Sequence, residues 1–168
     1  MILNRFGILL FFAICLCSCE KDDICDPATS TTPRLIIQFY DIANPTIPKN
    51  VVNLRIQAVD QSIPLATFDG VSIVQLPLKA LNTSTKYSLI LNSLSTTYSN
   101  QDFLEFNYNV HNVYISRACG FKSIFTLNTN NGVILTDALL PDVLWIKGIA
   151  IQTNSINDEN TTHIKIYF

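Results

Sequence analysis

From Pro33 onward, segment after segment carries apolar residues at alternate positions, and no stretch sustains a repeat of three to four. That periodicity constrains the fold more than any other feature, because strands alternate faces with period two whereas a helix requires 3.6. Leu35, Ile37 and Phe39 alternate with Arg34 and Gln38, and only Ile36 interrupts the pattern. Val52, Leu54, Ile56 and Ala58 alternate with Asn53, Arg55 and Gln57. Further strands are predicted at 72–78, 86–92, 103–110, 113–117, 121–127, 133–136, 143–152 and 161–168, mostly β-branched or aromatic, as a pleated packing surface prefers. Asn131-Gly132 and Asp69-Gly70 tolerate positive φ and read as tight hairpins. Eight to ten short strands without helices predict an all-β domain over 33–168, an antiparallel β-sandwich, immunoglobulin-like or related. A membrane barrel ending on Phe168 is disfavoured, because several strands fall short of the 9–11 residues that a spanning strand needs.

The amino-terminal end follows different rules. Arg5 precedes an apolar run from Phe6 to Cys17 that ends at Leu16-Cys17-Ser18-Cys19. A basic n-region, a short apolar h-region and a small residue before the cut make a secretory signal over residues 1–18. The run is too short for a spanning helix, which needs about 20 apolar residues. Its end resembles a bacterial lipobox, which implies diacylglycerol on the Cys19 thiol, cleavage before Cys19 and acylation of the new amine. Two or three acyl chains hold a protein durably where one holds it reversibly. Glu20, Lys21, Asp22 and Asp23 follow at once. They resemble the Lys-plus-acids signal that Bacteroidota lipoproteins carry for surface display. Residues 19–32 are thus expected to be a lipidated tether on the outer membrane, surface-exposed, with the periplasmic face as the alternative.

Loss of residues 1–18 removes one cation, Arg5, and moves the formal charge from −2 to −3. With no basic patch, nucleic acid is not an expected partner. Of five cysteines, Cys15 and Cys17 leave with the signal and Cys19 takes lipid, so Cys25 and Cys119 remain. An even pair in an oxidising compartment predicts a disulfide. With only His111 and His163 as further soft ligands, no metal site and no cofactor are expected.

Catalysis has no signature here: no phosphate loop, no metal-binding helix and no nucleophile elbow. Asp41, Asp60, Asp69, Asp102 and Glu105 are expected at strand ends or on exposed faces. Trp145, flanked by Val143, Leu144 and Ile146, reads as core rather than as a sugar platform. Tyr108, His111 and Tyr114 lie among Asn107, Asn109 and Asn112, and with Arg117 they form a candidate binding surface. Arg117 has a second reading, as the structural partner of an acid such as Asp41.

Three blocks carry a family likeness: Cys19 to Cys25, then Thr31-Thr32-Pro33-Arg34-Leu35-Ile36-Ile37 leading to Phe39-Tyr40-Asp41, and Ser116-Arg117-Ala118-Cys119-Gly120-Phe121. The chain resembles an uncharacterised lipoprotein family of Bacteroidota, found mainly in flavobacteria. The resemblance implies a lipid anchor, a β-rich domain, two cysteines at these positions and no assigned activity. The expected function is a non-catalytic interaction or accessory module of the cell envelope, with an envelope protein or glycan as partner. The alternative is a small-ligand or glycan binder.

Overall fold

The computed structural model describes residues 24–139 and 143–168, and none of these is helical. Eleven strands follow one another: β1 (Leu35–Tyr40), β2 (Leu54–Ala58), β3 (Ala66–Phe68), β4 (Ile73–Leu76), β5 (Ser84–Leu91), β6 (Asn100–Ser116), β7 (Gly120–Leu127), β8 (Val133–Asp137), β9 (Gly148–Ile151), β10 (Ser155–Ile156) and β11 (Ile164–Tyr167). The signal, Cys19 and the cluster Glu20, Lys21, Asp22 and Asp23 lie outside the described residues. The described chain divides into two compact units: a body, Ser30–Val113 with Lys122–Phe168, and a tip, 24–29 with Tyr114–Phe121.

The body is an all-β sandwich. One sheet has the order β4-β1-β11-β9; the other has the order β10-β7-β6-β5-β2-β3, with β8 also on β6. Inward residues of both sheets are fully buried, among them Leu35, Ile37 and Phe39 from the first and Leu54, Ile56, Leu89, Leu104 and Phe106 from the second. Trp145 lies in this core as expected. Its ring packs edge-on to Phe168 with centroids 5.5 Å apart, and its Nε1 donates to the Leu89 carbonyl at 3.2 Å. Phe168 also packs edge-on to Phe39, at 6.0 Å.

Four local features depart from the expectation. First, β1 and β11 run parallel, with Ile37 opposite Ile164 and Phe39 opposite Ile166. Second, the strands expected at 103–110 and 113–117 form one long strand, β6, and the short β3 and β10 are additional. Third, positive φ shortens two elements. Asn53 at φ 45 resets the alternation, so Val52 is exposed and β2 starts at Leu54. Val143 at φ 75 precedes β9, which begins only at Gly148.

The fourth departure concerns both expected hairpins. Asp69-Gly70 leads from β3, in one sheet, to β4, in the other, and Gly70 adopts φ 66 at that corner. Asn131-Gly132 does not fold β8 back onto β7; β8 pairs instead with β6, with Phe106 opposite Val133 and Leu104 opposite Leu135. Residues 128–131 form an excursion between the two strands. Asn107 spans it, donating its N–H to the Gly132 carbonyl at 2.9 Å and accepting from the Asn128 N–H at 3.0 Å. A Cβ on Gly132 would lie 2.4 Å from the Asn128 carbonyl oxygen, so close approach is what requires glycine there.

In the tip, Cys25 and Cys119 form a disulfide with Cα atoms 4.8 Å apart. The turn between β6 and β7 is closed by the Cys119 N–H, which donates to Ser116 Oγ at 3.0 Å, and by Gly120 at φ 69. The opposite segment is a turn on Asp26, whose carboxylate accepts from the Ala28 N–H at 2.9 Å.

Candidate binding site

In the body, the chain between β2 and β3 and the chain between β4 and β5 wall a cavity of about 410 Å³. Pro64, Leu65, Pro77 and Leu78 contribute apolar walls, and Ala58, Thr85 and Tyr87 supply strand residues of the lining. Proline suits such walls because it needs no backbone donor satisfied. Ile63 and Leu65 remain exposed at the site.

The polar groups of this cavity are committed to one another. The Lys79 N–H donates to Thr85 Oγ1 at 3.1 Å, and Tyr108 Oη donates to the Lys79 carbonyl at 2.9 Å. The 2.6 Å contact between Thr85 Oγ1 and Tyr108 Oη is then donated by the threonine, since the tyrosine has only one hydroxyl proton. This chain begins and ends on the Lys79 backbone and pins the segment after β4 to β5 and β6. Tyr87 Oη donates to the Pro77 carbonyl, and burial, aided by the nearby Tyr108 and Asp60, pushes its phenol well above the usual range. Burial also raises the Tyr108 phenol, against its hydrogen bonds with Thr85 and Lys79. Both phenols therefore stay neutral, as packing groups and not as bases. Lys79 Nζ meets Asp60 Oδ2 at 2.5 Å, and that hydrogen bond lowers the carboxyl pKa. The cavity offers apolar contact with one ion pair beside it, an arrangement for binding.

The tip carries a second concavity, of about 550 Å³, with Ile24, Asp26, Thr29, Tyr114 and Arg117 in its lining. Tyr114 and Phe121 pack edge-on with centroids 5.3 Å apart while both stay largely exposed. Of the four expected surface residues, Tyr114 and Arg117 thus share one concavity, and His111 is exposed on β6 without lining either. Tyr108 requires correction: only 1% of it is exposed, and it packs edge-on to Phe125 at 5.2 Å. Period two along β6 places it on the inward face with Leu104 and Phe106, and puts His111 on the other parity. Asp41, the acid considered for Arg117, faces Lys49 Nζ at 3.8 Å and accepts from the Ala43 N–H at 2.7 Å.

Two buried polar residues have structural work. Asp102, expected on an exposed face or strand end, is fully buried and accepts the Ile146 N–H on Oδ2 at 2.8 Å. His163 is buried, and its Nδ1 accepts the Ile36 N–H at 2.8 Å while its backbone N–H donates to the Ile36 carbonyl at 3.0 Å. Sequence reasoning passed over the cavity, put Asp102 on an exposed face or strand end, and weighed His163 only as a metal ligand. Their partners lie far along the chain, 127 positions for His163 and Ile36.

No curated protein and no solved structure matches the chain. One family profile does, that of a family of unknown function, DUF6452, over residues 53–168. That match takes in every strand from β2 to β11 and well over half of the sequence; the chain belongs to the DUF6452 family.

Proposed function

We propose that the chain is an outer-membrane lipoprotein of Bacteroidota, cut before Cys19, acylated there and displayed on the cell surface. Its sandwich serves as a non-catalytic interaction module of the envelope. The observation that carries this reading is the Cys25–Cys119 disulfide, since such bonds persist in exported proteins and are rare where thiols are kept reduced. The signal at 1–18 and the likeness to a lipobox at Leu16-Cys17-Ser18-Cys19 supply the matching address. The way polar groups are used supports the non-catalytic reading. A reaction centre needs a nucleophile and a base within mutual reach. Here the buried histidine and the buried aspartate each hold a backbone N–H, and the other histidine stands on an exposed strand face.

Protease treatment of intact cells tests the location. Body peptides are expected to be released from unbroken cells. Protection until the outer membrane is opened would contradict surface display and favour the periplasmic face.

The cavity beside Tyr87 favours a second reading, a binder of small apolar molecules. Its volume falls within the few hundred to 1,000 Å³ usual for ligand pockets. A glycan suits it less well, because sugar stacking needs a bare aromatic face and Trp145 is enclosed in the core. Native mass spectrometry of the purified chain tests this: an apolar molecule retained by the wild type and lost in Leu65→Arg supports it, and an empty wild-type protein contradicts it.

A further inference from the structure

Ile24, Tyr114 and Phe121 give the tip an apolar surface that its own few residues cannot cover, with exposures of 81%, 57% and 68%. All three stand close in sequence to the disulfide: Ile24 adjoins Cys25, and Phe121 lies two residues after Cys119. Exposed apolar groups gathered in this way mark a contact surface more often than scattered ones do. The spacing of two cysteines fixes what can cover it. Cys25 lies six positions after Cys19, which is roughly 20 Å of fully extended chain. Because Cys25 is bonded to Cys119, that limit applies to the β6–β7 turn as well. Any lipid on Cys19 therefore brings a bilayer within reach of the tip.

Charge narrows the mode of contact. Glu20, Asp22, Asp23 and Asp26 outnumber Lys21, Arg117 and Lys122 in and beside this part of the chain, so attraction to anionic headgroups is not the driving force. Amphipathic aromatic rings instead suit the boundary between headgroups and acyl chains, where tyrosine keeps its hydroxyl wet and buries its ring.

We infer that Ile24, Tyr114 and Phe121 form a membrane-contact surface that seats in the interfacial layer of the bilayer holding the lipid on Cys19. The inference rests on the lipoprotein reading above. It makes the tip a second point of attachment, so that acyl chains and side chains grip the same leaflet.

The test uses the full chain, purified with its amino-terminal lipid and reconstituted in phosphatidylcholine–phosphatidylethanolamine vesicles with bromine on the acyl chains near the headgroups. Trp145 is buried and supplies a constant background. Tyr114→Trp and Phe121→Trp add a reporter in the tip, and Tyr98→Trp adds one at an exposed site of the body. Both tip reporters are expected to lose emission on brominated vesicles at high salt as at low, with no loss for Tyr98→Trp. A lipidated protein whose tip reporters are unquenched, or no more quenched than Tyr98→Trp, overturns the inference and leaves the lipoprotein reading standing. Tip emission that is blue-shifted but unquenched points to a second copy or another protein on that surface and also overturns it. A mature chain without lipid on Cys19 overturns both. Unchanged melting curves for the three variants keep the comparison free of folding defects.

Discussion

Phe106 and Phe121 are the same residue type on neighbouring strands, yet the first is fully buried and the second largely exposed. Phe106 belongs to the body, where two sheets remove whole side chains from water and each large one contributes about 1.5–3 kcal/mol. Phe121 belongs to the tip, where too few residues gather to build a core. A covalent bond holds the tip instead. The hydrophobic effect requires enough chain to enclose its own apolar surface, and where that fails a disulfide fixes the geometry and leaves the apolar groups outside. Stability and contact are thereby separated: the body supplies the first, and the tip is free to supply the second.

Breaking the body should have the largest effect. Phe106→Ala opens a void in the core between Tyr87 and the other sheet-lining residues, and a loss of about 3–5 kcal/mol is expected in urea melts, with the disulfide still formed. A loss below about 1 kcal/mol would mean that the body does not depend on that core.

Next comes the staple. Replacing Cys25 and Cys119 together by serine reopens a loop of 94 residues in the unfolded chain, and a loss of about 2–4 kcal/mol is expected. Limited proteolysis of this variant should cut the tip before the body. Equal cutting of both, or an unchanged melting curve, would erase the contrast between the two regions.

The smallest effect sharpens the comparison through pH. Burial lowers the pKa of His163 from its ordinary 6.5, with Asp158 and Glu159 opposing more weakly. The unfolded chain therefore takes up its proton first as pH falls. The stabilisation is fully present above about pH 6.5 and is lost as pH drops through the lowered folded value. Melting temperature should fall between pH 7.5 and 5.5 in the wild type. In His163→Asn, which keeps an acceptor for the Ile36 N–H, that fall should be weaker. An equal fall in both would move the acid-sensitive group elsewhere.

The sandwich was legible in the chain because alternation survives in three dimensions: Leu35, Ile37 and Phe39 point inward, as do Leu54 and Ile56. The direction of pairing was not, since period two is identical in parallel and antiparallel strands, and so β1 beside β11 left no mark. Asn131-Gly132 misled for a related reason. The dipeptide signals permissive backbone, but here glycine answers a close approach to Asn128, and the chain resumes along β6. Tyr108 shows a signal that was present and outweighed. Its asparagine neighbours suggested a surface, while its parity with Leu104 and Phe106 placed it inside. The body cavity had no local signature at all, because its walls come from two loops that only the fold brings together. Of the expected surface, Tyr114 and Arg117 were legible as a pair because they are close in sequence on one hairpin end.

A greased cysteine ahead of a stapled β-sandwich has a distinctive weight, and the intact mass of the protein isolated from membranes reads it out. The expected chain starts at Cys19 with a diacylglyceryl group and, with the amine acylated, a third acyl chain, the mass falling by two hydrogen atoms for the Cys25–Cys119 bond. A mass that retains residues 1–18, or one that starts at Cys19 without lipid, would contradict it.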